Sequence, residues 1–180
     1  MARNEMQPVR HLHRTLYRTA KQSKAVKFYS LFDKVWRTDV LWQAWRQVKA
    51  NRGAAGVDGE TIEGIVSRGE EGQILSQLQE RLRAKDYRFQ PVRRVDIPKP
   101  KGGTRPLGIA TVRDRVVQTA MKLVWEPIFE ADFHPCSYAY RPRRDAKMAS
   151  IAIRNDLYQR AWAWWRLIFA AISQPFRTRS

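Results

Sequence analysis

Apolar positions recur at helical spacing over several stretches of this chain and alternate over two short ones. In DVLWQAWRQVKA, residues 39–50, Leu41, Ala44, Trp45 and Val48 share one stripe, which predicts a core-facing helix with Asp39 near its start as the cap. Residues 70–85 repeat the pattern through Ile74, Leu75, Leu78 and Leu82. A longer helix is predicted after Thr111, its cap, with Val112, Val116, Ala120, Leu123 and Val124 inward and Pro127 expected to bend or break it. Another helix is predicted from about Asp145 to Arg160. Near the start, residues 10–29 set Arg10, Arg14, Arg18, Lys21, Lys24 and Lys27 along one side of a helix and Leu12, Leu16 and Ala20 along another.

Period-two alternation appears in FQPVRRVDIPKP, residues 89–100, which puts Arg93, Val95 and Ile97 on one face and Arg94 with Asp96 on the other. TRPLGI, residues 104–109, alternates again, with Arg105, Leu107 and Ile109 on a shared face. Two such runs about Gly102 and Gly103 predict a hairpin. Its prolines place it at a sheet edge. Between the first helices, NRGAAGVDGET, residues 51–61, reads as a pliant loop whose bare backbone can approach a ligand or simply turn. Residues 134–147, HPCSYAYRPRRDAK, read as a cation-dense loop or short strand.

Charge changes what these elements are expected to do. The 180 residues carry a net charge of +17, an imbalance that repels itself in a compact chain and calls for a polyanionic partner. Nucleic acid is the first expectation, an anionic membrane surface the second, and a merely solvated basic surface the third. Between Arg81 and Arg115 eleven Lys/Arg face three Asp, so the excess centres on the predicted hairpin. Glycine at its tip lets backbone amides approach phosphate, Arg grips phosphate in two-pronged fashion, and Lys adds a compact charge. The hairpin therefore reads as a flap over a triphosphate or a nucleic-acid backbone. The Walker pattern GxxxxGK[ST] is absent.

The single cysteine, Cys136, excludes an internal disulfide and fits a reducing, cytoplasmic setting. No Cys/His cluster has metal-ligand spacing, and no signal-peptide core stands at the N-terminus. The apolar run AWAWWRLIFAAI, residues 161–172, is interrupted by Arg166 and is shorter than the roughly 20 residues that span a bilayer.

From Phe28 to about Arg160 the chain resembles the N-terminal part of a group II intron-encoded reverse transcriptase/maturase. FYSLFDKVWRTDVLWQAWRQVKANRGAAGVDGETI is similar to that family's N-terminal helices and first loop block. QPVRRVDIPKPKGGTRPLGIATVRDRVVQTAMKLVWEPIFEADFHP follows its pattern almost residue for residue, and SYAYRPRRDA resembles the next block, departing at Ala139, Arg143 and Asp145 to Met148. The resemblance implies an α+β fold: an incomplete right-hand polymerase, with helical fingers, a small antiparallel β hairpin and the palm largely absent. It divides the chain into basic N-terminal helices and a glycine-rich loop (1–60), fingers and the start of the palm (61–160), and a tail (161–180).

By the same resemblance, Lys99 and Arg105 contact the triphosphate of an incoming deoxynucleotide, and Arg93 lies in the same hairpin. Asn51, Arg52, Gly53, Gly56 and Gly59 hold the template–primer duplex, with Arg94, Lys101 and Arg141 also facing template or RNA. Arg14, Arg18 and Lys21 face intron RNA. The intact family performs RNA-directed DNA synthesis and assists intron splicing and mobility, with carboxylates seating two Mg²⁺ ions.

Those carboxylates have no counterpart in this chain, since no Asp or Glu follows Asp156. Where a VVEIDF-like palm strand belongs, WAWWRLIFAAISQPFRTRS stands instead. Read two nucleotides later with permitted codons, Ala161 to Thr178 can encode a string containing VVEIDF, so the tail is expected to be out-of-frame translation. No catalytic residue and no bound metal are expected of this chain alone. The alternative function is a stand-alone, non-catalytic RNA-binding splicing helper.

Overall fold

The computed structural model describes residues 6–22, 27–100 and 102–172, with side chains described between 8 and 159. Its elements run α1 (Met6–Gln22), α2 (Phe32–Val35), α3 (Thr38–Ala50), α4 (Ile62–Arg68), α5 (Glu71–Arg83), β1 (Arg93–Pro98), β2 (Thr104–Ile109), α6 (Val112–Asp132) and α7 (Ala146–Ile172). Two compact units result, one ending at Asp132 and one beginning at Phe133. They do not coincide with the division at residue 60, because α1 and α3 pack on α6 across it.

The first unit is built around α6. Val112, Val116, Ala120, Leu123 and Val124 are buried, as their spacing predicts, and Val117 joins them. Leu41, Ala44, Trp45 and Val48 of α3 and Ile74, Leu75, Leu78 and Leu82 of α5 complete the same core, with Leu12 and Leu16 of α1. Burying each Val, Leu or Ile of these stripes contributes about 1.5–3 kcal/mol, so the stripes outweigh any single cap.

Three local expectations are corrected. Pro127 does not break α6, which continues past it to Asp132. Proline removes one amide donor, but the ring is itself buried, so packing outweighs the lost bond. Asp39 does not cap α3. The N-cap position is Arg37, and Asp39 receives both of its guanidinium hydrogen bonds at 3.0 and 2.9 Å. The basic N-terminal helix does not reach residue 29: α1 is described to Gln22, residues 27–29 are not helical, and Lys24 lies outside the described residues.

α4 is a short helix that periodicity did not predict. The Thr61 hydroxyl accepts from the Gly64 amide at 3.0 Å, and Gly69 closes the other end at φ 67°. In the second unit, Asp145 accepts from the Met148 amide at 2.7 Å and starts α7. The backbone of α7 runs to Ile172, so the expected out-of-frame tail, 161–180, falls outside the described side chains.

Candidate nucleic-acid interface

β1 and β2 pair antiparallel, with Arg93 opposite Ile109, Val95 opposite Leu107 and Ile97 opposite Arg105. Opposed residues share a face, so Arg93, Val95, Ile97, Arg105, Leu107 and Ile109 lie together, as alternation predicts. Arg94 and Asp96 take the other face and pair at 3.3 Å.

The tip is closed by backbone bonds. The Lys99 amide donates to Gly103 O at 2.9 Å, and the Gly102 amide donates to Lys99 O at 3.1 Å. Pro100 occupies the second position of that turn, where its fixed φ fits. Gly102 and Gly103 follow at φ 88° and 77°, a region that costs an L side chain about 1 kcal/mol, and open space surrounds both.

The register sorts the expected phosphate ligands. Lys99 lies two residues past Ile97, the partner of Arg105, so Lys99 and Arg105 are diagonal neighbours about 7–8 Å apart. Arg93 stands four residues before Ile97, roughly 13 Å down the strand. Lys99 and Arg105 can therefore meet one phosphate group near the tip, while Arg93 addresses a different point nearer the root. All three are exposed, and none has a side-chain hydrogen bond or ion pair with a described residue. Lys101 lies outside the described residues.

The root of the hairpin is tied by Asp114, whose carboxylate is 1% exposed. Its Oδ1 accepts from the Tyr87 hydroxyl at 2.6 Å; its Oδ2 accepts from the Gln90 amide at 3.1 Å and the Thr111 hydroxyl at 2.8 Å. The Asp114 amide donates back to Thr111 Oγ1 at 3.1 Å, so Thr111 caps α6 as expected. Burial first, then the hydrogen bond to Asp114, pushes the Tyr87 phenol well above its ordinary range, so it stays a donor.

The glycine-rich loop leans on the same helical turn. A Cβ on Gly56 would come within 2.6 Å of Thr111 Cα, so the close approach made here is to the protein's own backbone. Arg115 donates to Ala54 O at 2.7 Å, and burial lowers its pKa. Gly53 faces that guanidinium. Asn51 ends α3, donating to Gln47 O at 3.1 Å. Asn51, Arg52 and Gly59 are exposed, with Arg52 and Gly59 at φ 45° and 70°.

On α1, Arg14 and Arg18 are exposed, while Lys21 donates to Ala131 O at 3.4 Å. In the second unit Arg141 is buried, donates to His134 O at 2.9 Å and Ser137 O at 2.8 Å, and lies over the Phe133 ring. Its guanidinium is occupied within its own loop rather than presented to solvent. The roles of Asp114 and Arg141 were not visible in spacing, since their partners lie in turns whose geometry the sequence does not disclose.

Among the described residues no group of three or more His, Cys, Asp or Glu could hold a metal ion. No described helix is long and apolar enough to cross a membrane.

No family model matches the chain. Individual proteins do. Protein YkfC of Escherichia coli K12 is 36% identical over 152 residues, 83% of this chain and 39% of its own length. The putative COX1/OXI3 intron 1 protein of Saccharomyces cerevisiae is 32% identical over 65% of this chain and 14% of its own. The group II intron-encoded protein LtrA of Lactococcus lactis is 28% identical over 87% of this chain and 26% of its own. A basic hairpin-bearing chain with such relatives is of the intron-encoded class. Within that class, the chain belongs to the group II intron-encoded protein family. It spans well under half the length of these relatives.

Proposed function

We propose that this chain is the nucleic-acid-binding fingers portion of a group II intron reverse transcriptase/maturase of incomplete right-hand polymerase fold. Its hairpin meets polyanionic phosphate: Lys99 and Arg105 near the tip meet a nucleotide's phosphates, and Arg93 nearer the root meets an RNA or template backbone. The observation that carries this reading is the exposed hairpin face that bears Arg93 and Arg105, with exposed Lys99 beside its tip, none of the three paired with a described residue. The exposed side of α1, with Arg14 and Arg18, extends the RNA contact. Intron splicing and mobility are the processes this binding serves. No catalytic step is assigned to the described residues.

The test is binding of a fluorescein-labelled stem-loop RNA across a potassium chloride series. Wild-type affinity should fall linearly in a log–log plot, the slope reporting the phosphates neutralised. Replacing Arg93, Lys99 and Arg105 together by Gln should flatten the slope by about 2–3 and weaken binding at least tenfold at moderate salt. An unchanged slope would remove the hairpin from the interface. Template-directed primer extension by the purified chain with Mg²⁺ would overturn its non-catalytic assignment.

A further inference from the structure

We propose that Asp114 is a positioning residue for the hairpin: its buried carboxylate locks the arm entering β1 to the arm leaving β2 and so aims the cationic face. The inference rests on the reading of that face as the RNA contact.

Tyr87 and Gln90 lie just before β1, and Thr111 lies just after β2, yet all three donate to one carboxylate on the first turn of α6. A two-stranded ribbon is marginal by itself and takes its direction from whatever fixes its base. The ladder is exposed along its length except at Ile97 and Ile109, which are half-buried. The lock at the root therefore decides where Arg93, Lys99 and Arg105 point. Asp114 bears the sign opposite to the cations it serves, and it is buried too deeply to touch a ligand. That separates its role by direction. Neutralising it raises the net positive charge, which by itself tightens RNA binding, whereas loss of aim weakens it.

The experiment measures stem-loop RNA affinity, salt slope and amide exchange on the full chain for Tyr87→Phe, Asp114→Ala, Asp114→Asn and the triple Gln variant described above. Tyr87→Phe removes one hydroxyl and keeps the ring. It should weaken RNA binding about threefold to tenfold, reduce the salt slope, and speed exchange at Gln90 and along the ladder, while α3 and α6 core amides stay protected. Asp114→Ala should act more strongly. Asp114→Asn can offer its oxygen to Gln90 and Thr111 and its amide to the Tyr87 oxygen, so it should bind RNA better than Asp114→Ala. Adding Tyr87→Phe to the triple variant should cost nothing further, because both act through the same cations.

If Asp114→Ala does not fold, Tyr87→Phe decides. Wild-type affinity and slope in Tyr87→Phe, with the triple variant weakened, would overturn the positioning role. So would tighter binding by Asp114→Ala. A triple variant that binds like wild type would instead sink the hairpin interface, and with it the premise.

Discussion

The Nε2 of His13 is buried and has no hydrogen-bond partner among the described residues. Desolvation lowers its pKa, opposed by the charge of Glu126 and a backbone hydrogen bond at Leu123. The folded chain thus takes up the proton less readily than the unfolded chain, whose imidazole titrates near 6.5. Stability conferred by the neutral ring is complete well above that value and is lost as pH falls through it. The melting temperature should therefore drop between about pH 7 and pH 5.5, a range in which carboxylates have barely begun to titrate, and His13→Leu should flatten that segment of the curve. An equally steep fall in the variant would assign the dependence to another group. Other residue-scale features follow the same contrast between groups held inside and groups left in water. Asp114 and Arg141 are buried and engaged, whereas Arg93, Lys99 and Arg105 are exposed and have no partner among the described residues. Only the second kind is available to a ligand.

Elements that bury a regular stripe could be read from the sequence, and elements held by a few specific bonds could not. The stripes of α3, α5 and α6 appear residue for residue, because several buried apolar side chains at fixed spacing leave one orientation for each helix. The hairpin and its two faces were equally legible, since a side-chain period of two and a Pro–Gly-rich tip define both pairing and sides. The lock at its root was not, because Asp114 reaches 24 and 27 residues back to Gln90 and Tyr87. Helix α4 was missed for a related reason: seven residues are too few to show a period. What specifies α4 is Thr61 at one end and Gly69 at the other. Thr61→Ala should accordingly cost about 1 kcal/mol in urea unfolding, with an unchanged m-value. A loss below a few tenths would mean that buried Ile62 and Ile65 hold this helix without its cap.

For the molecule as a whole, the net charge of +17 sets two responses to salt that run in opposite directions. Surface ion pairs such as Lys49–Glu71 at 3.0 Å and Arg68–Glu60 at 3.1 Å weaken on screening, each by at most about 1 kcal/mol. Repulsion among the excess cations weakens as well, and it involves many more pairs. At a Debye length of about 30 Å, near 0.01 M salt, those cations sense one another across much of the fold; at about 8 Å they do not. Relief of repulsion should win, so the melting temperature should rise from low to physiological salt while RNA affinity falls. Heparin at low salt should raise it further, because a polyanion that binds only the folded chain stabilises it by mass action. A melting temperature that falls on adding salt would mean that local pairs outweigh the net charge. The surface cations would then be balanced within the fold rather than held open for a polyanion.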